Sequence, residues 1–175
     1  MSLINMEWRR IWVGLAALGL LVANASAEIL VAETRTSPSV YGGASYNVDF
    51  NGDAANGVYF NFVTSEPNTR VVLAFNAECA VDGSSLKWLD VDIMVNPAGP
   101  AGETAASPSN GDNAFCSGNG IASDFLYASG DGWVSAITLA TMVLPQAGIH
   151  TVRVRVNGAH SGVARLDDMS LVVWR

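Results

Sequence analysis

The sequence predicts an all-β protein: an antiparallel β-sandwich of jelly-roll type with roughly eight strands and one disulfide. Three observations lead to this fold class. Beyond the first 27 residues, apolar side chains recur with a period of two and helical periodicity is almost absent. Turns rich in glycine, proline and asparagine separate the apolar runs. The chain has only two cysteines, Cys79 and Cys116, so a single pairing exists.

The first 27 residues predict a signal peptide that precedes the sandwich. Arg9 and Arg10 form its positive end, "IWVGLAALGLLVA" is an apolar run of signal-peptide length, and "ASA" supplies the small residues of a cleavage site. A transmembrane anchor is the alternative, but the run is shorter than the roughly 20 residues that a span needs. We therefore expect a secreted or periplasmic protein, with one β-sandwich domain over residues 28–175 and no membrane insertion after cleavage.

The predicted mature chain is acidic. Removal of residues 1–27 leaves 7 Lys and Arg against 15 Asp and Glu, and Lys87 is its only lysine. Binding to nucleic acid depends on clustered Lys and Arg that displace counterions from phosphate. The sequence has no such cluster, so we expect no nucleic-acid partner.

Seven runs carry the strand pattern, and turn signals lie between them. We expect roughly eight strands in all. In chain order they are "EILVAETR", "GVYFNFVT", "RVVLAFNAEC", "KWLDVDIMV", "WVSAITLATMVL", "GIHTVRVRV" and "MSLVVW". Four side chains of the third run are predicted to share one face: Val71, Leu73, Phe75 and Ala77. The fifth run alternates less cleanly, with three residues in phase: Ile137, Leu139 and Val143.

The fourth and sixth runs suggest a pair of neighbouring strands. Alternation turns Leu89, Val91, Ile93 and Val95 inward, and it turns Trp88, Asp90, Asp92 and Met94 outward. In the sixth run, alternation places His150, Val152, Val154 and Val156 on the apolar side, with Arg153 and Arg155 opposite. If the two strands are adjacent, the aspartates and arginines form a cross-strand charge ladder on a solvent-exposed face. Because His150 lies on the apolar side of its strand, we expect it to be a buried, hydrogen-bonded histidine and not a general base.

The cysteines are predicted to form a disulfide. Cys79 ends an apolar run, whereas Cys116 lies in the polar, glycine-rich stretch "SPSNGDNAFCSGNGIASDF". An exported chain with an even cysteine count usually pairs its cysteines, although two reduced thiols are the alternative. We expect Cys116 to tether the long loop of residues 96–132 to the core. Because Cys116 is assigned to a loop, the immunoglobulin pattern of two strand cysteines does not fit.

Several stretches resemble known families. "LAFNAE" before "DIMV", and the "PQAGIHTVRV" hairpin, resemble the strand order of bacterial and phage C1q/TNF-like jelly rolls. "ARLDDMSLVV" resembles the last strand of galactose-binding-like carbohydrate modules. Together these similarities cover about residues 70–175 with gaps. They imply an extracellular binding or assembly role, often trimeric in the first family and monomeric in the second. Residues 96–132 depart from both families.

Residues in and beside the long loop are the candidate ligand-binding residues. Sugar rings stack on exposed aromatic side chains, while Asp and Asn hydrogen-bond the hydroxyls. The candidates of this kind are Trp133, Tyr127, Asp112, Asn113 and Asp124. Each aromatic residue has an equally good alternative role as a plug at the end of the sandwich.

A second candidate site is the stretch "DFNGDAANG", where Asp49, Asn51 and Asp53 supply oxygen atoms at alternate positions. These residues are compatible with a structural calcium ion, although the stretch lacks the glycine and glutamate of an EF-hand loop. An Asn-Gly turn prefers the same residues for backbone reasons. We expect no other cofactor.

Two functions remain open at this stage, and neither is enzymatic. The sequence has no G-x-S-x-G elbow, and outward aspartates on a strand are usually solvated. The first function is a secreted recognition module that binds a glycan or another cell-surface ligand through the loop of residues 96–132. The second is a structural or self-assembling extracellular protein, such as a homo-oligomer or a matrix component.

Overall fold

A computed structural model describes residues 27–42, 45–53, 57–81, 88–96, 102–107, 114–117, 133–157 and 163–175. The predicted signal peptide lies outside these residues, except for its last position. Within the described ranges, the regular structure consists of strands. No helix in this part of the chain has the length and apolar character needed to cross a membrane.

The strands form two antiparallel sheets. The first sheet has the order β1-β11-β5-β9, and β2 also pairs with β11. Its strands are β1 (Ile29–Arg35), β2 (Ser39–Gly42), β5 (Thr69–Val81), β9 (Val134–Leu144) and β11 (Val163–Trp174). The second sheet has the order β3-β10-β6-β7, where β4 also pairs with β10 and β8 with β6. Its strands are β3 (Ser45–Asn47), β4 (Phe60–Thr64), β6 (Trp88–Asn96), β7 (Thr104–Ala105), β8 (Ala114–Ser117) and β10 (Gly148–Asn157).

The eleven strands occupy eight positions, because three positions are each split in two. β1 and β2 lie along one edge of β11, β3 and β4 along one edge of β10, and β7 and β8 along one edge of β6. Numbered as eight positions, the sheets have the orders 1-8-3-6 and 2-7-4-5. This alternation of successive strands between two sheets is jelly-roll topology, so the predicted fold class is confirmed.

The core lies between the two sheets, where the predicted inward faces meet. All the predicted inward residues of β5, β6 and β10 are buried. Leu73 and Phe75 of β5 are fully enclosed, as are Val152 and Val154 of β10. Side chains alternate between the two faces of a strand, so each of these strands also presents a second row on the outside of the sandwich.

The outer row of β6 differs from the prediction. Asp90 and Asp92 are 2% and 5% exposed, and Met94 is also buried, so the expectation of a solvent-exposed face is wrong. Arg155 lies directly opposite Asp92, and its Nη2 donates to Asp92 Oδ2 at 2.7 Å. A buried carboxylate is tolerated when a cation bonds to it, which explains how polar residues alternate along β6 without lying in water.

Asp92 and Arg155 form one rung of the predicted charge ladder. The register places Arg153 opposite Met94, and Asn157 opposite Asp90. Arg153 instead bonds to Glu103, which precedes β7. The strands are neighbours as predicted, but they are offset so that one arginine and one aspartate meet directly.

Strand β9 has the predicted phase, with its apolar row on the outside. Ile137, Leu139 and Val143 share one face, and all three are exposed. The core side of β9 carries Ala140 and Leu144 instead. Strand β9 has apolar side chains on both of its faces. Alternation in the sequence therefore shows which residues share a face, but it does not show which face points into the core.

The predicted disulfide between Cys79 and Cys116 is present, and it links the two sheets. Cys79 lies in β5 of the first sheet and Cys116 in β8 of the second. Both are buried in the core, and their Cα atoms are 6.4 Å apart. The assignment of Cys116 to a loop is therefore wrong: residues 114–117 form a short strand against β6, too brief to show alternation in the sequence.

Replacing both cysteines by alanine is expected to lower the free energy of unfolding. The bond closes a segment with a sequence separation of 37 residues, and the loss from a loop of this size is about 2–4 kcal/mol. Urea denaturation of the wild type and of the double variant, both monitored by tryptophan fluorescence, measures the difference. Equal unfolding midpoints at equal slope would contradict a stabilising role for the bond.

Candidate functional site

The outer face of the second sheet carries a row of polar side chains. Thr151 of β10 lies opposite Asn61 of β4 on one side and opposite Asn96 of β6 on the other. Asn61 is exposed, Thr151 is half-buried and Asn96 is buried. One hydroxyl and two amides therefore lie side by side across three strands, and these side chains become more buried from β4 to β6.

Arg153 is held rigidly in the neighbouring row. Its Nε donates to Glu103 Oε1 at 2.6 Å, its Nη2 donates to Glu103 Oε2, and its Nη1 donates to Asn47 Oδ1. Two parallel bonds from a guanidinium to a carboxylate form a strong and geometrically specific pair. The hydrogen bonds to Glu103 raise the pKa of Arg153 above the ordinary value of an arginine.

Tyr59 completes the arrangement, just before β4 begins. Its side chain is 49% exposed, and the guanidinium carbon of Arg153 lies 5.3 Å from the centre of its ring. A cation at this distance is attracted to the ring face and restrains the ring. Tyr59, Asn96, Glu103 and Thr151 line a cleft of about 300 Å³. We call it the Tyr59 cleft.

The Tyr59 cleft combines the groups that bind polar, ring-shaped molecules. An exposed aromatic ring supplies a flat apolar surface. Thr151 and Asn96 can both donate and accept hydrogen bonds, whereas the Glu103 carboxylate accepts only. Arg153 donates hydrogen bonds to both Glu103 oxygens and holds the carboxylate in place. Glu103 is therefore a weak candidate for proton transfer.

Of the five predicted ligand-binding residues, the structure describes Trp133. It precedes β9, and the guanidinium of Arg165 in β11 lies 5.2 Å from its ring centre. Trp133 therefore belongs to the first sheet, away from the Tyr59 cleft on the second. Tyr127, Asp112, Asn113 and Asp124 lie outside the described residues.

The Tyr59 cleft was not predicted from the sequence. Asn96 and Glu103 do belong to the predicted binding segment of residues 96–132, but neither was singled out. Tyr59 stands in a predicted strand run and was not separated from the buried aromatic residues that follow it. The available signal was the alternation of "GVYFNFVT", which places Tyr59 and Asn61 opposite to Phe60 and Phe62.

The three predicted calcium ligands lie together in the segment between β3 and β4. Asp49 Oδ1 accepts hydrogen bonds from the amides of Asn51 (3.1 Å) and Gly52 (3.0 Å), and Asn51 Oδ1 accepts one from the amide of Asp53 (2.7 Å). Gly52 has a φ of 78°, a conformation that glycine adopts without strain. These are the bonds of consecutive Asx turns.

The second oxygen of Asp49 is 3.9 Å from Arg35 Nη1. Within the described ranges, no group of three His, Cys, Asp or Glu side chains is placed to hold a metal ion. The turn conformation is thus accounted for by protein hydrogen bonds and one cation. The predicted calcium site at Asp49, Asn51 and Asp53 is untested by this geometry, and the turn does not depend on an ion for its conformation.

His150 is buried, as its position on the apolar side of β10 predicts. It is 1% exposed, its Nε2 lies 2.9 Å from Thr64 Oγ1, and its ring packs against Phe62. A residue enclosed in this way has no access to a substrate on the outer face.

Comparisons with known proteins add little to this description. No family model matches the chain, and no curated protein matches it. Among solved structures, the chain is similar to dimeric latent PorU from Porphyromonas gingivalis, with 15% identity and a TM-score of 0.38. The match covers 86% of this chain and 13% of that protein. The function must therefore be argued from the residues themselves.

Removing calcium is expected to leave the stability of the protein unchanged. The oxygens of Asp49 and Asn51 already bond to backbone amides, so a cation has little to add to the turn. The measurement is the melting temperature in excess EDTA and in millimolar calcium, with magnesium as the control cation. A melting temperature that rises several degrees in calcium alone, and loses that rise in an Asp49→Asn variant, would establish the metal site instead.

Proposed function

We propose that this chain is a secreted, non-enzymatic recognition module that binds a glycan in the Tyr59 cleft. The observation that carries the proposal is the exposed Tyr59 ring, held by Arg153 beside the polar row of Thr151 and Asn96. A pyranose ring has apolar C–H faces and a rim of hydroxyls. The aromatic ring suits the faces, and the hydroxyl and amide groups suit the rim.

The chemistry of the cleft favours binding over hydrolysis. Most glycosidases use two carboxyl groups about 5–10 Å apart on either side of the scissile bond. Glu103 is the one carboxylate among the described residues that line the cleft, and Arg153 bonds to both of its oxygens. Asp92, which lies on the same strand as Asn96, is buried against Arg155.

The disulfide supports the extracellular part of the proposal. A buried disulfide persists in oxidising compartments, and the predicted signal peptide would deliver the chain there. The proposal does not rest on the predicted ligand residues Tyr127, Asp112, Asn113 and Asp124, which lie outside the described residues. Trp133, on the first sheet, takes no part in the cleft.

Substitution of Tyr59 by alanine is expected to weaken glycan binding at least tenfold, which corresponds to about 1.4 kcal/mol. A glycan array identifies the ligand, and calorimetry with that oligosaccharide measures the affinity of wild type and variant. Stability is expected to change little, because half of the ring is in water.

Tyr46→Ala is the matched control, because Tyr46 is 44% exposed and packs against Tyr41, not against Arg153. It should bind the oligosaccharide as the wild type does. The proposal fails if no glycan binds. It also fails if Tyr59→Ala and Tyr46→Ala have the same affinity as the wild type.

A further inference from the structure

Apolar rows cross the outer face of the first sheet on β9, β5, β11 and β1, and a more polar row with Asn76 between Ile137 and Ser170 follows toward Glu78. The register places Leu139 of β9, Ala74 of β5, Val172 of β11 and Ala32 of β1 side by side in one row. In the next row, Val72 lies beside Trp174 and Trp174 beside Ile29. None of these seven side chains is charged.

Much of this face lies in water. Four of its large side chains are 46% to 66% exposed: Ile29, Ile137, Leu139 and Val143. With its half-buried neighbours, the face offers on the order of 500 Å² of apolar surface, at the upper end of what a monomer usually exposes.

Opposite charges stand at the two ends of this face. On β5, Arg70 lies opposite Val143, and Glu78 lies opposite Ser135. Both are exposed, and within the described part of the chain neither takes part in an ion pair. They are equally far in sequence from Ala74, which lies midway between them. Glu78 and Asp168 also line a depression of about 380 Å³ at their end.

The edge of β9 that points away from β5 is less suited to binding a second copy than the outer face of the sheet is. Thr141 donates its amide to Ser107 O at 2.7 Å and accepts from the Ser107 amide at 3.0 Å. This bridge occupies the edge near the middle of the exposed row. An added strand would have to break it, whereas a sheet packed on the face leaves it intact.

From this arrangement we infer that the outer face of the first sheet binds a second copy of the chain, face to face, about a two-fold axis through Ala74. Under this symmetry the β5 strands run antiparallel, so Arg70 of each copy meets Glu78 of the other. Leu139 packs against Leu139, and the small Ala74 side chain lets the sheets approach to the roughly 10 Å of packed sheets. An interface of this kind is self-complementary.

The occupant is a second copy because the face matches its own two-fold image. Arg70 and Glu78 lie at equal distances from Ala74, on opposite sides of it. A two-fold rotation about Ala74 therefore brings Arg70 of each copy next to Glu78 of the other and gives two attractive pairs. A parallel arrangement would instead oppose Arg70 to Arg70 and Glu78 to Glu78. Charge complementarity thus sets the orientation, and the apolar rows supply the affinity.

The test is a charge exchange, followed by sedimentation velocity of the purified chain between about 1 and 500 μM. The wild type is expected to form a dimer. Arg70→Glu and Glu78→Arg singly should each raise the dissociation constant about tenfold or more, because each creates two repulsive pairs per dimer. The double variant R70E/E78R restores opposite charges and should return to within a few-fold of the wild type.

A second comparison tests the apolar rows. Leu139→Asp is expected to abolish dimerisation, whereas Val63→Asp should not. Val63 is 61% exposed and lies on the other sheet, so it matches Leu139 in exposure. A wild type that stays monomeric, a trimer or an open polymer, single charge variants that dimerise normally, or a double variant that fails to recover would each overturn the inference.

Discussion

The ion pair between Asp92 and Arg155 fixes the geometry on which the second sheet depends. Asp92 is almost fully buried, so a register that separated it from Arg155 would leave a carboxylate in the interior without its cation, at a cost of several kcal/mol. With that pair opposed, Thr151 falls beside Asn96, and Arg153 falls where it reaches both Glu103 and Tyr59. A slip of one residue would turn every one of these side chains to the other face.

The two outer faces of the sandwich differ in polarity, although the inner faces are alike. Both sheets bury valine, leucine and phenylalanine between them, and the Cys79–Cys116 bond joins them across that core. Outside, the second sheet presents amides, a hydroxyl and a half-exposed tyrosine beside the exposed pair Val63 and Ile149, whereas the first presents mainly apolar, uncharged rows between Arg70 and Glu78. In a dimer packed through the first sheet, both Tyr59 clefts would face outward. Two weak glycan sites on one particle bind a multivalent surface more tightly than either site alone.

The sequence predicted the parts of the fold that alternation encodes. The inward rows of β5, β6 and β10, the adjacency of β6 and β10, and the single cysteine pairing all follow from local patterns. Burial of the outer row of β6 did not follow, because it depends on Arg155 arriving from a strand 63 residues away. The same limit applies to the Tyr59 cleft. The cleft depends on the bond between Arg153 and Glu103, which are 50 residues apart in the sequence. A local sequence pattern cannot identify a residue whose role depends on so distant a partner.

The proposed roles of the two outer faces are separate, with sugar bound on the second sheet only. Titration of the isotope-labelled protein with a bound oligosaccharide, followed by amide chemical shifts, tests this separation most directly. The largest shifts are expected at Asn61, Asn96 and Thr151, with Ala74 and Leu139 unchanged. Shifts centred on Ala74 and Leu139, or on Trp133, with none around Tyr59, would contradict this separation.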